Sequence, residues 1–297
     1  MNNNILQLIG NTPLVKINKL NSNKNVEIYA KLERFNPGGS VKDRIALCMI
    51  EAAEKSGELS KEKIIIEPTS GNTGIGIALV AAVKGYKTLL LMSESVSVER
   101  RKILKAFGAE ILLTDPSKGT DGAIERAYQM AKKEPDKYLL LDQFNNENNW
   151  RAHFNTTGRE IWEQTGGKVT IFVATMGTTG TLMGVSKRLK QYNSKIRVVG
   201  VEPNFKHKIQ GLKSLKEAYV PGIYNKNMLD EKVYIKDEDA YEMARKLTKE
   251  EGIFAGMSCG AAMYVALEKA KELESGMIVV LLPDGGEKYL STPLFKD

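Results

Sequence analysis

An apolar run leads directly into turn and helix-capping residues at positions 64–74, which read IIIEPTSGNTG. Three consecutive isoleucines are typical of a strand that helices cover on both faces, as in a parallel sheet. The small residues that follow, as far as Lys84, favour a helix. A strand, a short loop and a helix in this order form the repeating unit of an α/β protein.

The same alternation continues along most of the chain. Strands are predicted at residues 26–32, 63–67, 88–92, 110–113, 138–141, 169–174, 197–202 and 277–282. Helices are predicted at residues 41–55, 74–84, 97–107, 119–133, 152–164, 181–191, 237–251 and 260–273. We therefore expect an α/β fold with parallel strands, and a length of 297 residues favours about two domains.

Two stretches interrupt this rhythm. Residues 203–230 show no period and contain a basic cluster, and a connection of that length is usually functional or mobile. The members of the cluster are Lys206, His207, Lys208, Lys213 and Lys216. The Asn-rich residues 143–150 form a weak seam between two sets of alternating elements.

The composition narrows the function classes. The net charge of +7 is interspersed with acidic residues and does not form a basic block, so it does not indicate nucleic-acid binding. The first residues lack the pattern of a signal peptide, and no run approaches the roughly 20 apolar residues of a membrane span. The two cysteines, Cys48 and Cys259, with His153 and His207, predict neither a disulfide framework nor a metal site. We expect a cytoplasmic protein with no nucleic-acid, membrane or metal partner.

A lysine follows a glycine-rich loop at residues 36–44, NPGGSVKDR. Lys42 falls in the first turn of a predicted helix, and small residues beside it would let a flat cofactor approach. The positive end of the helix helps a lysine to lose its proton and act as a base or nucleophile. An ordinary surface lysine is the alternative.

The loop at residues 69–74 combines hydroxyl, amide and glycine residues before a helix. Such a loop can hold a carboxylate through backbone N–H groups and hydroxyls, although simple helix capping by Ser70 or Thr73 also fits. The glycines at 71, 74 and 76 do not have the spacing of a dinucleotide-binding fingerprint.

Two further glycine-containing loops precede helices. Residues 177–181, GTTGT, suit a single phosphate, because glycine exposes backbone amides and threonine adds neutral donors, while the lysine of a nucleotide P-loop is absent. Residues 256–260, GMSCG, are a weaker signal, since Ser258 could be a cap and Cys259 a small core residue. With only two histidines, a Ser-His-Asp mechanism has few candidates, and Lys42 is the best-placed base.

Together these motifs resemble the cysteine synthase family, the O-acetylserine sulfhydrylases, among the fold type II enzymes that use pyridoxal 5′-phosphate (PLP). The resemblance extends from residues 9–14 (IGNTPL) to residues 289–292 (YLST) and includes residues 36–44, 69–74 and 177–181. Residues 141–146, 176–181 and 219–223 are similar to the B-type branch of that family.

The resemblance implies two doubly wound α/β domains with the cofactor in the cleft between them. The smaller domain would comprise residues 1–12 and 35–146 and carry a mobile substrate loop. The larger, PLP-binding domain would comprise residues 13–34 and 147–297. A homodimer is also implied.

The resemblance also implies a role for each motif residue. Lys42 would be catalytic and hold PLP as a Schiff base, Asn72 would contact its 3′ oxygen, and Ser258 its pyridine nitrogen. The phosphate cup would consist of Gly177, Thr178, Thr179, Gly180 and Thr181. The amino-acid substrate would be bound by Thr69, Ser70, Gly71, Asn72, Thr73 and Gln143.

The implied reaction replaces the β-substituent of O-acetylserine or cysteine through an aminoacrylate, forming cysteine from sulfide. A neutral Ser258 would not hold the ring nitrogen protonated, which makes the ring a weaker electron sink and favours elimination over transamination. Residues 209–215 (IQGLKSL) depart from the glycine-rich segment of A-type members and leave the second substrate open among sulfide, thiosulfate, a thiocarboxylate and cysteine.

Three alternative functions remain open. Cysteine could be consumed, with release of hydrogen sulfide and formation of lanthionine or another thioether. A serine or threonine dehydratase would instead release an oxo acid and ammonia. A non-catalytic ligand-sensing module is disfavoured by the intact Lys42.

Overall fold

The described part of the protein contains two β-sheets. The computed structural model describes residues 2–295 except residues 70, 95, 97, 217 and 218. The strands in this part of the chain are β1 (Leu14–Lys16), β2 (Val26–Leu32), β3 (Ile64–Pro68), β4 (Lys87–Ser93), β5 (Glu110–Thr114), β6 (Tyr138–Leu140), β7 (Ile171–Thr175), β8 (Arg197–Pro203), β9 (Glu231–Ile235) and β10 (Gly276–Leu282). The helices are α1 (Lys42–Ser56), α2 (Asn72–Lys84), α3 (Val98–Ala106), α4 (Gly119–Lys133), α5 (Glu147–Asn155), α6 (Thr157–Gln164), α7 (Gly180–Tyr192), α8 (Asp237–Glu251) and α9 (Met257–Lys271).

Each sheet has a point where its strand order reverses. The four-stranded sheet has the order β5-β4-β3-β6, and all its strands are parallel. The six-stranded sheet has the order β1-β2-β10-β7-β8-β9, and only β1 runs antiparallel to its neighbour. The reversals lie between β3 and β6 and between β10 and β7. Ligands of open α/β sheets bind beyond the carboxyl ends of strands at such points.

The core follows from the apolar strands that the sequence contains. All five residues of β7 are buried, as are six of the seven in β10, with helices packed on both faces. The α/β fold class with parallel sheets is thus confirmed. The strands of the four-stranded sheet fall within residues 35–146, whereas the domain boundaries themselves stay a prediction.

The structure corrects the predicted helix at residues 152–164. Two helices, α5 and α6, cover this region, and the chain breaks between them at Thr156, whose hydroxyl donates to the carbonyl of Ala152 at 2.7 Å. The first helix begins earlier than predicted, because the Asn146 side chain accepts from the N–H of Asn148 and caps it. The Asn-rich seam is therefore largely a helix start.

Two of the strands, β1 and β9, were not predicted from the sequence. Both lie at edges of the six-stranded sheet and are partly exposed, so they lack a continuous apolar run. In the part of the chain that is described, no helix combines the length and apolarity needed to cross a bilayer. Nor do those residues contain a cluster of three or more His, Cys, Asp or Glu suited to a metal.

Candidate active site

Residues from the carboxyl ends of both sheets line one cavity of about 220 Å³. Its walls include most of the residues singled out in the sequence: Lys42, Thr69, Gly71, Asn72, Thr73, Gln143, Gly177, Thr178, Thr181 and Ser258. Thr179 and Gly180 stand at the start of α7, between the cavity-lining residues Thr178 and Thr181. Ser70 lies outside the described residues. The strand reversals therefore bring four loops that are distant in sequence to a single cavity.

Lys42 is the first residue of α1, and the loop before it is fastened to the end of β10. The N–H of Val41 donates to the carbonyl of Pro283 at 2.9 Å, and Ser40 forms an isolated antiparallel bridge with Asp284. Desolvation lowers the pKa of Lys42 to about 8, while the nearby Asp284 carboxylate opposes this shift. An amine with such a pKa is substantially neutral in mildly alkaline solution and can act as a nucleophile or base.

The loop after β3 and the loop after β6 meet through their side chains. The Thr73 hydroxyl donates to Gln143 Oε1 at 2.7 Å, and the Gln143 side chain also hydrogen-bonds the Glu67 carboxyl. Behind this pair, Glu67 accepts from the N–H groups of Asp142 (2.9 Å) and Gln143 (3.2 Å). Burial raises the pKa of Glu67 to about 8. Neutral donors thus dominate this wall, and these suit a substrate carboxylate.

The loop at residues 177–181 forms a cradle at the amino end of α7. Thr179 adopts a left-handed conformation with φ of 66° and stands at the helix N-cap, which turns the loop's backbone back on itself. A Cβ at Gly180 would overlap Asn149 Oδ1, and one at Gly177 would lie 2.8 Å from the carbonyl oxygen of Gly211. Only glycine fits these two positions without a shift of the neighbours.

Side chains of α5 support the cradle from behind. Asn149 Nδ2 donates to Thr178 Oγ1 at 3.0 Å and to the Gln143 carbonyl at 2.7 Å. His153 lies 3.3 Å from Thr181 Oγ1 through Nε2, and 2.9 Å from Thr157 Oγ1 through Nδ1. Burial and nearby cations hold the pKa of His153 well below its usual range, so its ring is neutral. Asn149 and His153 were not predicted, although their four-residue spacing on one helix face was a possible signal.

These residues fit the phosphate of PLP. A helix amino end presents unpaired N–H groups and a partial positive charge to an anion. The hydroxyl oxygen of Thr179 is buried and has no hydrogen-bond partner among the described residues. An orphaned buried hydroxyl beside a glycine-shaped cradle is explained by a phosphate oxygen that completes its hydrogen bonding.

A second polar network, which the sequence did not reveal, surrounds Asn72. Its Nδ2 donates to Asp284 Oδ2 at 2.7 Å, and its Oδ1 accepts from Lys288 Nζ at 2.9 Å. The Tyr289 hydroxyl donates to the same Asp284 oxygen at 2.6 Å. Asp284 follows the buried strand β10, and a carboxylate at the end of a buried strand was the available signal.

Ser258 is the second residue of α9, is almost fully buried and lines the cavity. Its neighbour Cys259 is a core residue, and burial raises its thiol pKa well above the usual range, so a nucleophilic role for it is disfavoured. The uncharged hydroxyl of Ser258 is the group that this wall offers to a ligand atom in the cavity.

The irregular segment 203–230 contributes the remaining wall. Gln210, Gly211, Leu212 and Lys213 line the cavity, and the Arg100 guanidinium of α3 donates to the Gln210 side chain. The predicted basic cluster does not form one surface, because Lys206 and Lys208 are exposed whereas Lys213 is buried in the cavity wall. The segment is therefore part of the site, although its cations have separate environments.

Comparison with known proteins agrees with this geometry. Residues 5–284 match the family described as pyridoxal-phosphate dependent enzyme. The chain is 52% identical over 301 residues to cysteine synthase from Aquifex aeolicus, covering 99% of this chain and 92% of the relative. It is 46% identical over 289 residues to cysteine synthase B from Escherichia coli, covering 97% and 95%. A crystal structure of a hydrogen sulfide-producing enzyme from Fusobacterium nucleatum superposes with a TM-score of 0.92 at 43% identity, covering 98% of this chain and 100% of that one.

The chain therefore belongs to the pyridoxal-phosphate-dependent enzymes and, within that class, to the cysteine synthase family.

Proposed function

We propose that this protein catalyses PLP-dependent β-replacement on a small amino acid, with O-acetylserine as donor and sulfide as nucleophile, to form cysteine. One observation carries the proposal: a single cavity brings Lys42 together with the Thr73–Gln143 pair and the α7 cradle. The three features supply an amine with a lowered pKa, a neutral carboxylate site and a phosphate site.

Each group has a distinct proposed role toward the cofactor. Lys42 holds PLP covalently, Asn72 contacts the oxygen at position 3′, and Ser258 faces the ring nitrogen. The phosphate is bound by Gly177, Thr178, Thr179, Gly180 and Thr181 at the amino end of α7. When bound, PLP supplies an aldehyde and an electron-withdrawing ring that weakens the bonds at the substrate Cα.

The substrate carboxylate is proposed to lie between the loops after β3 and β6. Thr69, Ser70, Gly71, Asn72, Thr73 and Gln143 would provide its hydrogen bonds. This placement would direct the substrate Cα toward Lys42 Nζ, which takes the Cα proton once it is free. A closing movement of the loop at residues 69–74 would then exclude water.

The neutral Ser258 gives the reaction its direction. A hydroxyl does not stabilise a protonated ring nitrogen as a carboxylate would, so charge that develops at Cα is less strongly delocalised. Loss of the β-substituent is then favoured over the return of a proton to the substrate or cofactor, which would lead to racemisation or transamination. We infer that racemisation and transamination are minor side reactions.

A second candidate is cysteine consumption with release of hydrogen sulfide and formation of lanthionine or another thioether. It is favoured by the 43% identity to an enzyme described as hydrogen sulfide-producing. In this protein the wall formed by Gln210, Gly211, Leu212 and Lys213 would face the second substrate. Sulfide, thiosulfate, a thiocarboxylate and a second cysteine remain the candidate nucleophiles.

Product analysis distinguishes these reactions. The enzyme is mixed with O-acetylserine or cysteine, each with and without sulfide, and the products are identified by mass. Cysteine from O-acetylserine and sulfide is expected, whereas a thioether from cysteine alone would favour the second candidate. Steady release of an oxo acid and ammonia without a thiol adduct would contradict β-replacement and indicate a dehydratase.

We also infer a cytoplasmic homodimer with no nucleic-acid partner, from the family resemblance and the dispersed charge. The domain division into residues 1–12 with 35–146, and 13–34 with 147–297, belongs to the same proposal. Light scattering coupled to size-exclusion chromatography tests the dimer. A mass equal to that of one 32.9 kDa chain at all concentrations would contradict it.

A further inference from the structure

We propose that Asp284 and Lys288 are positioning residues, which fix the orientation of the Asn72 amide and set the charge beside Lys42. The inference deepens the proposed function and rests on it, since Asn72 and Lys42 are taken to contact PLP. It gives a role to one buried and one half-buried charged group, which neither the sequence motifs nor the phosphate and carboxylate sites explain.

The Asn72 side chain is held at both of its polar ends. Its amide nitrogen donates to Asp284 Oδ2 at 2.7 Å, and its amide oxygen accepts from Lys288 Nζ at 2.9 Å. Asp284 is only 2% exposed. The amide is therefore fixed by two partners of opposite charge, a fully buried carboxylate and a half-buried ammonium, and charge-assisted hydrogen bonds are strong where water is largely excluded.

These partners allow only one amide orientation. An ammonium can only donate and an ionised carboxylate can only accept, so a flipped Asn72 would face a donor with its own donor and an acceptor with its own acceptor. An asparagine in a neutral setting could adopt either orientation. With one N–H committed to Asp284, the second amide N–H is left for a ligand in the cavity that Asn72 lines.

The same carboxylate influences Lys42 from the end of β10. Its charge opposes the lowering of the Lys42 pKa that burial causes. The groups that face Asp284 come from several elements: Asn72 from α2, Cys259 from α9, Arg100 from α3, Lys42 from α1, and Lys288 and Tyr289 from the 3₁₀ turn at 286–289. Asp284 is the common anion of this set, so its removal changes the balance at Lys42 and Asn72 together.

If Asp284 served only to hold the loop before Lys42 in place, its main-chain contacts would be sufficient. The Ser40–Asp284 bridge and the Val41–Pro283 hydrogen bond fasten the loop before Lys42 without the carboxylate. Lys288 likewise donates to the carbonyls of Gly38 and Gly39, each at 3.2 Å, and these bonds persist in any variant that retains its ammonium. The side-chain charge of Asp284 is thus separable from the path of the backbone.

The first test measures Lys42 in the cofactor-free protein, as the pH dependence of its acylation by trace acetic anhydride, read from its peptide by mass. Asp284→Asn removes the anion that favours protonated Lys42, so its pKa should fall by half a unit or more. At pH 7 the labelling rate should then rise about threefold or more. Glu202→Gln is the matched control, because Glu202 is also a fully buried carboxylate at the end of a strand of the six-stranded sheet but forms its ion pair with Lys232. The control should change the rate less than twofold.

The second test uses PLP affinity and a double-mutant cycle. Asp284→Asn and Lys288→Met should each weaken PLP binding by about tenfold and shift the pH dependence of its visible absorption. In an Asn72→Ala background each substitution should weaken PLP binding by a clearly smaller factor, because the part of its effect that passes through the Asn72 amide is then already lost. Circular dichroism and thermal unfolding confirm that each variant remains folded, and Lys288→Arg should restore part of the affinity.

The inference would be overturned if Asp284→Asn left the labelling of Lys42 unchanged. It would also be overturned if the two substitutions weakened PLP binding equally with and without the Asn72 amide. An equal effect of Glu202→Gln on labelling would also overturn it, since the charge that acts on Lys42 would then have no specific source. Failure of the proposed function has a different signature: wild-type protein would not attach PLP to Lys42, while the labelling experiment on cofactor-free protein would still give its answer.

Discussion

The cavity holds two side-chain amides, both from loops that follow strands of the four-stranded sheet, and the two are fixed in different ways. Gln143 is held by the neutral hydroxyl of Thr73 and by the buried Glu67, which accepts from its main-chain N–H and also hydrogen-bonds its side chain. Asn72 is held between the carboxylate of Asp284, which follows the six-stranded sheet, and an ammonium. Both Glu67 and Asp284 are almost fully buried, so the difference lies in their partners.

The comparison indicates how one cavity can bind an anion and also control a proton. The Glu67 carboxyl forms no ion pair within the described part of the chain, and its pKa near 8 means that much of it carries a proton at neutral pH. A substrate carboxylate bound nearby is then not repelled. The Asp284 side instead keeps charges close to Lys42, where proton transfer is proposed. In the proposed reaction, neutral groups would bind the carboxylate, and charged groups surround the amine.

Removing the amine between the two regions should have the largest effect. Lys42→Ala is expected to lower turnover by about a thousandfold or more, because both the covalent anchor and the general base are lost. The visible absorption of bound cofactor should also change. Lys55→Ala, an exposed lysine in the same helix, is the control and should behave as wild type. Unaltered turnover in Lys42→Ala would assign the chemistry to another lysine.

Thr73→Val tests the neutral region of the cavity, which is formed by Thr73, Gln143 and Glu67. The substitution keeps the side-chain shape and removes the hydroxyl that donates to Gln143, so the donor KM should rise about tenfold, as expected for one lost hydrogen bond. PLP affinity should stay within twofold of wild type, as determined by equilibrium titration. Thr88→Val, another buried threonine, on β4, serves as the control. A loss of PLP affinity equal to the change in KM would mean that this region is not specific for the substrate.

The proton on Glu67 should produce a smaller effect that depends on pH. Ionisation near pH 8 places a negative charge behind the carboxylate site, so the wild-type donor KM should rise about threefold from pH 7 to pH 9. Glu67→Gln cannot ionise, and its KM should be higher at pH 7, because one acceptor is lost, yet flat with pH.

Stability provides an independent check on Glu67. Since its folded pKa of about 8 exceeds its ordinary value of 4.5, the folded state binds more protons between these values. The contribution of Glu67 to the free energy of unfolding therefore falls as pH rises through this range. Glu67→Gln should consequently be more destabilising at pH 6 than at pH 9 in urea unfolding. Equal destabilisation at the two pH values would show that Glu67 is already ionised at pH 6 in the folded protein.

The smallest effects are expected at the exposed lysines of segment 203–230. Lys206→Ala and Lys208→Ala change exposed side chains and should alter kcat/KM for any second substrate less than twofold. Lys213→Ala changes a buried lysine of the cavity wall and should alter it by about fivefold or more for an anionic nucleophile. Equal effects at all three positions would mean that the segment acts only through its overall charge.

The fold was predictable where the sequence is strongly periodic or continuously apolar. The predicted strand at 26–32 and the helices at 119–133 and 237–251 have the observed boundaries, since each carries an unbroken pattern and a clear end. The edge strands β1 and β9 were missed because half-exposed residues give little apolar signal. The break at Thr156 depends on a local hydrogen bond that periodicity does not reveal.

The loops that line the site could be predicted from the sequence, whereas the residues that support these loops could not. Glycine and hydroxyl residues between a strand and a helix mark a ligand site from sequence alone. The residues behind them, such as Glu67, Asn149 and Asp284, are polar residues whose partners are remote in sequence. The Asn72–Asp284 bond, for example, spans 212 positions, so only the folded chain brings its two ends together.

Reduction of the PLP-loaded enzyme with borohydride, followed by peptide mapping by mass, tests the central claim most directly. Because the reducing agent makes the link between cofactor and lysine permanent, the peptide that contains Lys42 should carry one pyridoxyl phosphate per chain. Its absence from that peptide, or its presence on a different lysine, would contradict the assignment of the cavity beside the α7 cradle as the active site.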